Sequence, residues 1–419
     1  MNRILMDLSP LRDSRDFRTF YIGQLISTLG NQLTTVAVPY QTYLLTHSSL
    51  FVGLVSMAQL FPLIAAALFG GALIDAVDRR KLVLLVESLM LLCSVGLALN
   101  TDMGASLWPL FVCSAIQAGF SGVDNSARNA MVPRLVGLDK VTASAALFQA
   151  TFQLGTIVGP TVAGLLLAGA GVRFVYWLDV ASFVASLAAV FLISPQPPAH
   201  AGVKAASLRS VLDGFKYLRG KQGIQGAYLI DLNAMVFGMP RALFPALGTA
   251  LGGATTVGLL YSAPGVGALL GAVTTGWVGR VRRQGLAVII AVLVWGAAIT
   301  GFGLVRWLPG AMILLAVAGW ADVISAVFRN TIIQHSAGDG FRGRLMGVQV
   351  AVVTGGPRLG DLESGAVAAA FGDTFAVVSG GVACIVGAVA LARALPGFRR
   401  YLAVTPSLTE PESVRQETG

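Results

Sequence analysis

Three ionisable side chains crowd into the stretch TGGPRLGDLESG, residues 354–365: Arg358, Asp361 and Glu363. The flanking segments, LMGVQVAVV and AVAAAF, are apolar, so the charges interrupt a run that otherwise suits lipid. On a helix, Arg358 and Asp361 share a face and can pair. Glu363 projects about 200° away from Asp361, so it needs another partner, water, or a proton. A carboxyl group that is neutral in one state and ionised in another is what proton coupling requires; a static Arg–Asp–Glu brace between helices is the alternative. Further polar groups interrupt other apolar runs: Asp231 and Asn233 in YLIDLNAM, then Arg241, Asp322 in GWADV, Asp179 in YWLDVASF, and Asn31 and Gln32 in LGNQL.

The elements that must hold these groups follow from composition. The chain has 419 residues, 55% hydrophobic and only 12% charged, with mean hydropathy +0.75; a soluble chain carries about 25% charged residues. Runs of about 20 apolar residues, enough to cross a ~30 Å hydrocarbon core, recur twelve times, which predicts an all-α polytopic membrane protein. The eleventh run spans 345–370. At 1.5 Å per residue it places Arg358 roughly 20 Å along the helix, and Asp361 and Glu363 roughly 24 to 27 Å along. A charge at the bilayer centre costs ~2.5–3.5 kcal/mol, so three unpaired ones would cost on the order of 10 kcal/mol.

The net charge of +9 suggests a nucleic-acid partner until the bases are placed. With both termini inside the cell, 23 of the 29 Lys and Arg residues fall on inward segments, and only Arg173 and Arg306 on outward loops. That asymmetry is the positive-inside rule, so the basic balance reports topology and not nucleic acid. Cys93, Cys113 and Cys384 sit in apolar runs as small core residues, and His47, His200 and His335 are scattered, so no metal site is expected. The first twenty residues are too charged for a cleaved signal peptide.

The longest polar stretch, 195–222, opens with a Pro- and Ala-rich linker and continues as SLRSVLDGFKYLRG, whose apolar residues have helical spacing. A short amphipathic helix on the inner membrane surface is expected there. The chain then divides into a cytoplasmic N-terminus (1–17), a six-helix bundle (18–194), that linker (195–222), a second six-helix bundle (223–394) and a disordered cytoplasmic tail (395–419). The bundles repeat one another. GTIVGPTVAG (Gly155, Gly159, Gly164) matches GPRLGDLESG (Gly356, Gly360, Gly365) at a constant offset of 201, and AGFSGVDNSARN, ending at Asn129, echoes AGWADVISAVFRN, ending at Asn330. Parallel six-helix repeats rock about a site at their interface.

Two motifs carry a family resemblance. GGALIDAVDRRK, with Gly71, Asp75, Arg79 and Arg80, and the helix-five run Gly155, Gly159, Pro160, Gly164 resemble the signatures of the major facilitator superfamily, the second being the form found in its antiporters. Asp78 stands where the first motif usually has a second glycine, and CSAIQAG offers Ser114 where drug–proton antiporters have an arginine, so a helix-four arginine relay is not expected. The finer resemblance, carried by LSPLRDSRDFRTFYIGQLIS, VAVPYQTYLLTHSSLFVGL, RALFPAL and GRLMG, is to the siderophore (enterobactin) exporter branch and related macrolide and drug exporters.

That resemblance implies a fold of twelve helices in two pseudo-symmetric bundles and a secondary transporter, not an enzyme. The expected activity is proton-coupled antiport exporting a siderophore or drug-like molecule by alternating access. An importer or lipid flippase of the same fold, or a non-transporting receptor, are the alternatives. It further implies a latch in which Asp75 caps a neighbouring helix and Arg79 pairs with Asp124, with Gly71 and Arg80 in the same turn. Asp361, Glu363, Asp231 and Asp322 are the proton-coupling residues expected, and Asn31, Gln32, Asn233, Arg241 and Arg358 the substrate contacts; Asp179 is expected to be structural. The chain has no GxxxxGK[ST] loop for ATP, so the expected driving force is the proton gradient, without cofactor. A monomer in the plasma membrane, both termini cytoplasmic, with lipid and a small molecule as its partners, completes the expectation.

Overall fold

The computed structural model describes residues 7–196, 217–218, 220–337 and 341–403; the side chains of 67–73, 75–76, 342–344 and 346 lie outside that description. So do most of the expected linker helix and the tail from 404 onward. The described chain is helical, with no strand among the described residues. A short helix α1 (Ser9–Asp13) leads into α2 (Arg15–Thr46), α3 (Ser49–Ala76), α4 (Arg79–Asp102), α5 (Leu107–Val136), α6 (Val141–Gly169) and α7 (Gly171–Leu192). The second half holds α8 (Gln222–Phe237), α9 (Phe244–Gly252), α10 (Ala254–Thr274), α11 (Gln284–Leu304), α12 (Leu308–Ser336), α13 (Arg342–Phe371), α14 (Asp373–Ala394) and α15 (Pro396–Arg399).

Nine stretches among the described residues are long and apolar enough to cross a membrane. The helices outside that set, α2, α5 and α13, have the length (32, 30 and 30 residues) but hold the intramembrane amides and charges. Large apolar side chains such as Phe61, Leu92 and Ile313 point outward and exposed. Around a soluble protein such a surface would drive association; here it faces lipid. Each half has its own core, one around Phe17, Phe20, Met131 and Tyr176, the other around Ile230, Leu260, Trp295 and Phe328. The halves meet along α3 against α13 and α6 against α10.

Local chemistry sets the breaks. Asp78, in place of the motif's glycine, does not adopt a left-handed turn: it is extended (φ −60°, ψ 120°) and caps α4, accepting hydrogen bonds from the Arg80 and Lys81 amides (2.9 and 3.2 Å). The seventh span, expected as one helix over 223–247, is broken. Pro240 has no N–H and crowds the preceding turn, so α8 ends at Phe237 and a single 3₁₀ turn, Arg241–Leu243, leads into α9. At the N-terminus, α2 starts three residues before the expected boundary, and Asp13 pairs with Lys140 (2.9 Å), a hydrogen bond that raises the Lys140 ammonium above its ordinary value.

The expectation of a disordered tail from 395 is corrected for its first residues. Phe398 is fully buried against Gly226 and Gly285, the Gly397 amide bonds the Gln222 side chain (2.7 Å), and the Ala403 amide bonds the Arg282 carbonyl (2.7 Å). The segment ties together the ends of α8, α11 and, through Ser336 and Tyr401 (3.0 Å), α12. One neutral hydrogen bond contributes about 0.5–1.5 kcal/mol. Tyr401→Phe is expected to lower the unfolding free energy of the detergent-purified protein by about 1 kcal/mol, read by thermal melting, without altering transport.

Candidate functional site

Between the halves lies a cavity of about 290 Å³. The first half lines it with Asn31 and Thr34 on α2, Ser56 and Gln59 on α3, and Ser114, Gln117 and Ser121 on α5. The second half contributes Arg241, Ala242 and Tyr261 beside the break, and Pro357, Arg358 and Asp361 on α13. The break is what brings Arg241 here: α8 has stopped, and the Tyr261 hydroxyl holds the Arg241 carbonyl at 3.1 Å.

Asp361 closes one end of the cavity. Its Oδ2 accepts from the Ser56 hydroxyl across the two halves (2.5 Å), and its Oδ1 accepts from the Ala242 amide freed by the break (3.1 Å). Beyond it, Ser49 donates to Asp373 (2.7 Å), again across the halves. The α6–α10 seam seals the same end. A Cβ on Gly258 would collide with the Pro160 carbonyl and the Gly164 backbone, so two helix backbones touch directly there. Gly258→Ala is expected to cost about 1–3 kcal/mol through overpacking and to raise the labelling rate of a cysteine placed at Ser56; unchanged melting and labelling would show that the seam tolerates a methyl group.

The expected direct pairing of Arg358 with Asp361 does not form. Arg358 instead donates to the Thr354 carbonyl of its own helix (2.9 Å), and its Nε is buried without a hydrogen-bond partner. Asn31, Arg241, Arg358 and Asp361 are therefore brought together as expected, while the other expected residues are not. Gln32 packs its side chain on Gly159 of α6. Asn233 donates to the Cys384 carbonyl (2.9 Å) and rests on Gly387, bracing α8 against α14. Glu363, pointing away from Asp361 as helical geometry requires, is half-buried off the cavity and bonds no described group.

Asp231 and Asp322 meet elsewhere, around Arg329, whose guanidinium lies 2.8 Å from Asp231 and 3.8 Å from Asp322 and also bonds Ser325 (2.6 Å). The latch expectation needs the larger correction. Arg79 does not pair with Asp124. It donates to the Ala130 carbonyl (3.0 Å), and Arg80 donates to the carbonyls of Val190 (3.1 Å) and Phe191. Arg80 thereby satisfies two of the unpaired carbonyls at the end of α7, whereas the Ala130 carbonyl lies inside α5. Asp124 bonds Arg128 (2.8 Å), which also bonds Glu87 and Ser186. Gly71 and the Asp75 side chain lie outside the described residues.

Sequence reasoning missed Glu87, and it left Arg128 and Arg329 unassigned. The signal was present: Arg128 and Arg329 immediately precede Asn129 and Asn330, the ends of a matched segment, and they share the 201-residue offset.

A family model described as transmembrane secretion effector matches residues 6–416. Curated relatives include the enterobactin exporter EntS of Shigella boydii serotype 4 (strain Sb227), 29% identical, and that of Escherichia coli O81 (strain ED1a), 30% identical. Each alignment covers 98% of this chain and 99% of the relative. Among solved structures, the nucleoside transporter NupG superposes with a TM-score of 0.72 at 14% identity, covering 89% of this chain and 99% of that one. A bacterial homologue of the iron transporter ferroportin superposes with a TM-score of 0.67 at 17% identity, covering 90% and 98%. These two share the fold.

Proposed function

Because the chain belongs to the transmembrane secretion effector family of major facilitator transporters, we propose that it exports a siderophore or a similar drug-like molecule in exchange for protons. The observation that carries this reading is the cavity between the matched halves, where Arg241 and Arg358 face one volume and the buried Arg358 Nε has no partner. A guanidinium in that setting favours acidic hydroxyls, carboxylates and amide carbonyls, the groups of a catecholate or hydroxamate chelator. The relatives named enterobactin exporter support that class.

The charge asymmetry of the loops supports a plasma-membrane protein with both termini in the cytoplasm. On that orientation the end closed by Asp361 faces out, and substrate enters from inside. Opening outward requires Asp361 to release Ser56, its partner in the other half, and a protonated carboxyl is a weaker acceptor than an ionised one. Asp231 and Asp322, sharing Arg329, supply the second exchangeable proton position in this half. In the same state, among the described residues, the side chains of Arg79 and Arg80 bond only within the first half, which suits a latch that engages when the chain faces outward.

Efflux decides the matter. A deletion strain and its complement, loaded with enterobactin or with each of a panel of dyes, are compared with and without a protonophore. Complementation that restores enterobactin efflux and is abolished by the protonophore is expected. Identical efflux from both strains would remove the substrate class, and insensitivity to the protonophore would remove the coupling.

A further inference from the structure

The second half keeps its buried charges around Arg329, and the first half has built a counterpart to which the reading above gives no work. Arg128 lies 201 residues before Arg329. Each arginine is almost completely buried and bonds the side chain one helical turn earlier, Asp124 for Arg128 and Ser325 for Arg329, positions that are themselves 201 residues apart. Each also reaches a fully buried carboxylate on another helix, Glu87 on α4 and Asp231 on α8. In each half a second, more open carboxylate shares the arginine: Asp124, 15% exposed, and Asp322, 36% exposed.

The charge count is the same on both sides, one guanidinium against two carboxylates. With both acids ionised, each group holds a net negative charge inside the bundle, where an uncompensated charge costs several kcal/mol. In the first half the surplus is visible as two buried oxygens without a hydrogen-bond donor, Glu87 Oε2 and Asp124 Oδ1. Among the described residues Arg128, whose own Nη1 is left without a partner, is the only cation in contact with the two carboxylates. From α7 comes the Ser186 hydroxyl, bonded to Glu87 (2.8 Å), and from α2 the Phe20 ring lies over the Arg128 guanidinium (5.3 Å). Asp179, also on α7, is engaged by Ser94 (2.6 Å). The Asp75 side chain, near the end of α3, lies outside the described residues.

Access is built in as well. On α5, Ser114, Gln117 and Ser121 line the cavity, and Asp124 follows at the next helical step with Arg128 and Glu87 behind it. A metal cation is excluded by the guanidinium already in the site. A proton is not, since it adds to one carboxyl oxygen and leaves Arg128 paired with the other carboxylate.

We propose that Glu87, Arg128 and Asp124 form a further proton-binding site, the pseudo-symmetric partner of the Asp231–Arg329–Asp322 group, so that the first half also binds a proton during a transport cycle. The proton enters at Asp124 from the cavity side and adds to Asp124 Oδ1 or Glu87 Oε2, the carboxylate oxygens left without a donor. This rests on the proton-coupled reading above and adds to it a site in the other half.

The full chain, purified in detergent, is compared by infrared difference spectroscopy between acidic and alkaline buffer, wild type against Glu87→Gln and, separately, the milder Asp124→Asn. Loss of one protonated-carboxyl band in either variant is expected, and bands identical to wild type in both would overturn the proposal. This reading needs no substrate, so it stands apart from whether enterobactin is moved. In proteoliposomes, the pH gradient that just balances an imposed enterobactin gradient is expected to shift in Asp124→Asn to that of a carrier moving one proton fewer. An unshifted balance point would likewise overturn it, whereas a wild type that moves no enterobactin counts against the substrate alone.

Discussion

Arg329→Met is expected to cost the protein about 3–5 kcal/mol, the largest effect of any single substitution considered. The guanidinium holds Asp231, which is fully buried, and without it that carboxylate is left in the bundle interior with no opposite charge. Breaking one side of a buried pair is worse than removing both, so Arg329→Met combined with Asp231→Leu should recover most of the loss. The internal comparison is Arg173, which pairs with Asp102 at 2.7 Å but is 69% exposed. Arg173→Met should change stability by less than about 1 kcal/mol. Melting in detergent, followed by the fraction that stays monodisperse, measures all three. Equal melting of Arg329→Met and wild type would mean that Asp231 carries no charge in the folded protein.

The second large effect is on transport. Arg358→Gln removes a charged donor whose Nε faces no protein acceptor, and a hydrogen bond to a charged group contributes ~1.5–3 kcal/mol. Each 1.4 kcal/mol is a factor of ten, so enterobactin efflux at subsaturating concentration should fall roughly 10–100-fold. Arg241→Gln should add a further loss. A cationic dye carried by the same cavity gains from the lost positive charge, and its efflux should hold or rise. Proportional loss of both efflux activities would show that the arginines support the fold and do not select the ligand.

What the sequence revealed depended on how far each inference reached along the chain. Hydropathy alone recovers nine spans among the described residues, because lipid asks for an apolar surface along a whole helix, while α2, α5 and α13 have the length but not the hydropathy. Rotation of a helix is harder to read. Asn31 and Gln32 are adjacent, yet one lines the cavity and the other packs on Gly159, a difference of about 100° that composition does not carry. Asp361 and Glu363 were separable, since their spacing alone put them on different faces. The partners of Arg79 and Arg80 were not, because the acceptors turned out to be backbone carbonyls, which every residue supplies. The break at Pro240 left its donor, the Ala242 amide, equally invisible until Asp361 was seen to use it.

The bare contact of Gly164 with Gly258 has a mechanical consequence. Along α3 and α13 backbone also meets backbone, at Gly53 and Gly365, but hydrogen bonds are added there, so tilting the halves apart on that side means breaking Ser56 from Asp361 and Ser49 from Asp373. Where two backbones touch with nothing between them, no rotamer must change and no bond must be given up. In the proposed alternating-access cycle that point can serve as a fulcrum, with the Gln153 side chain still bonded to the Gly265 carbonyl (3.3 Å) further along the seam, and the face formed by α3 and α13 would be the swinging edge of a door.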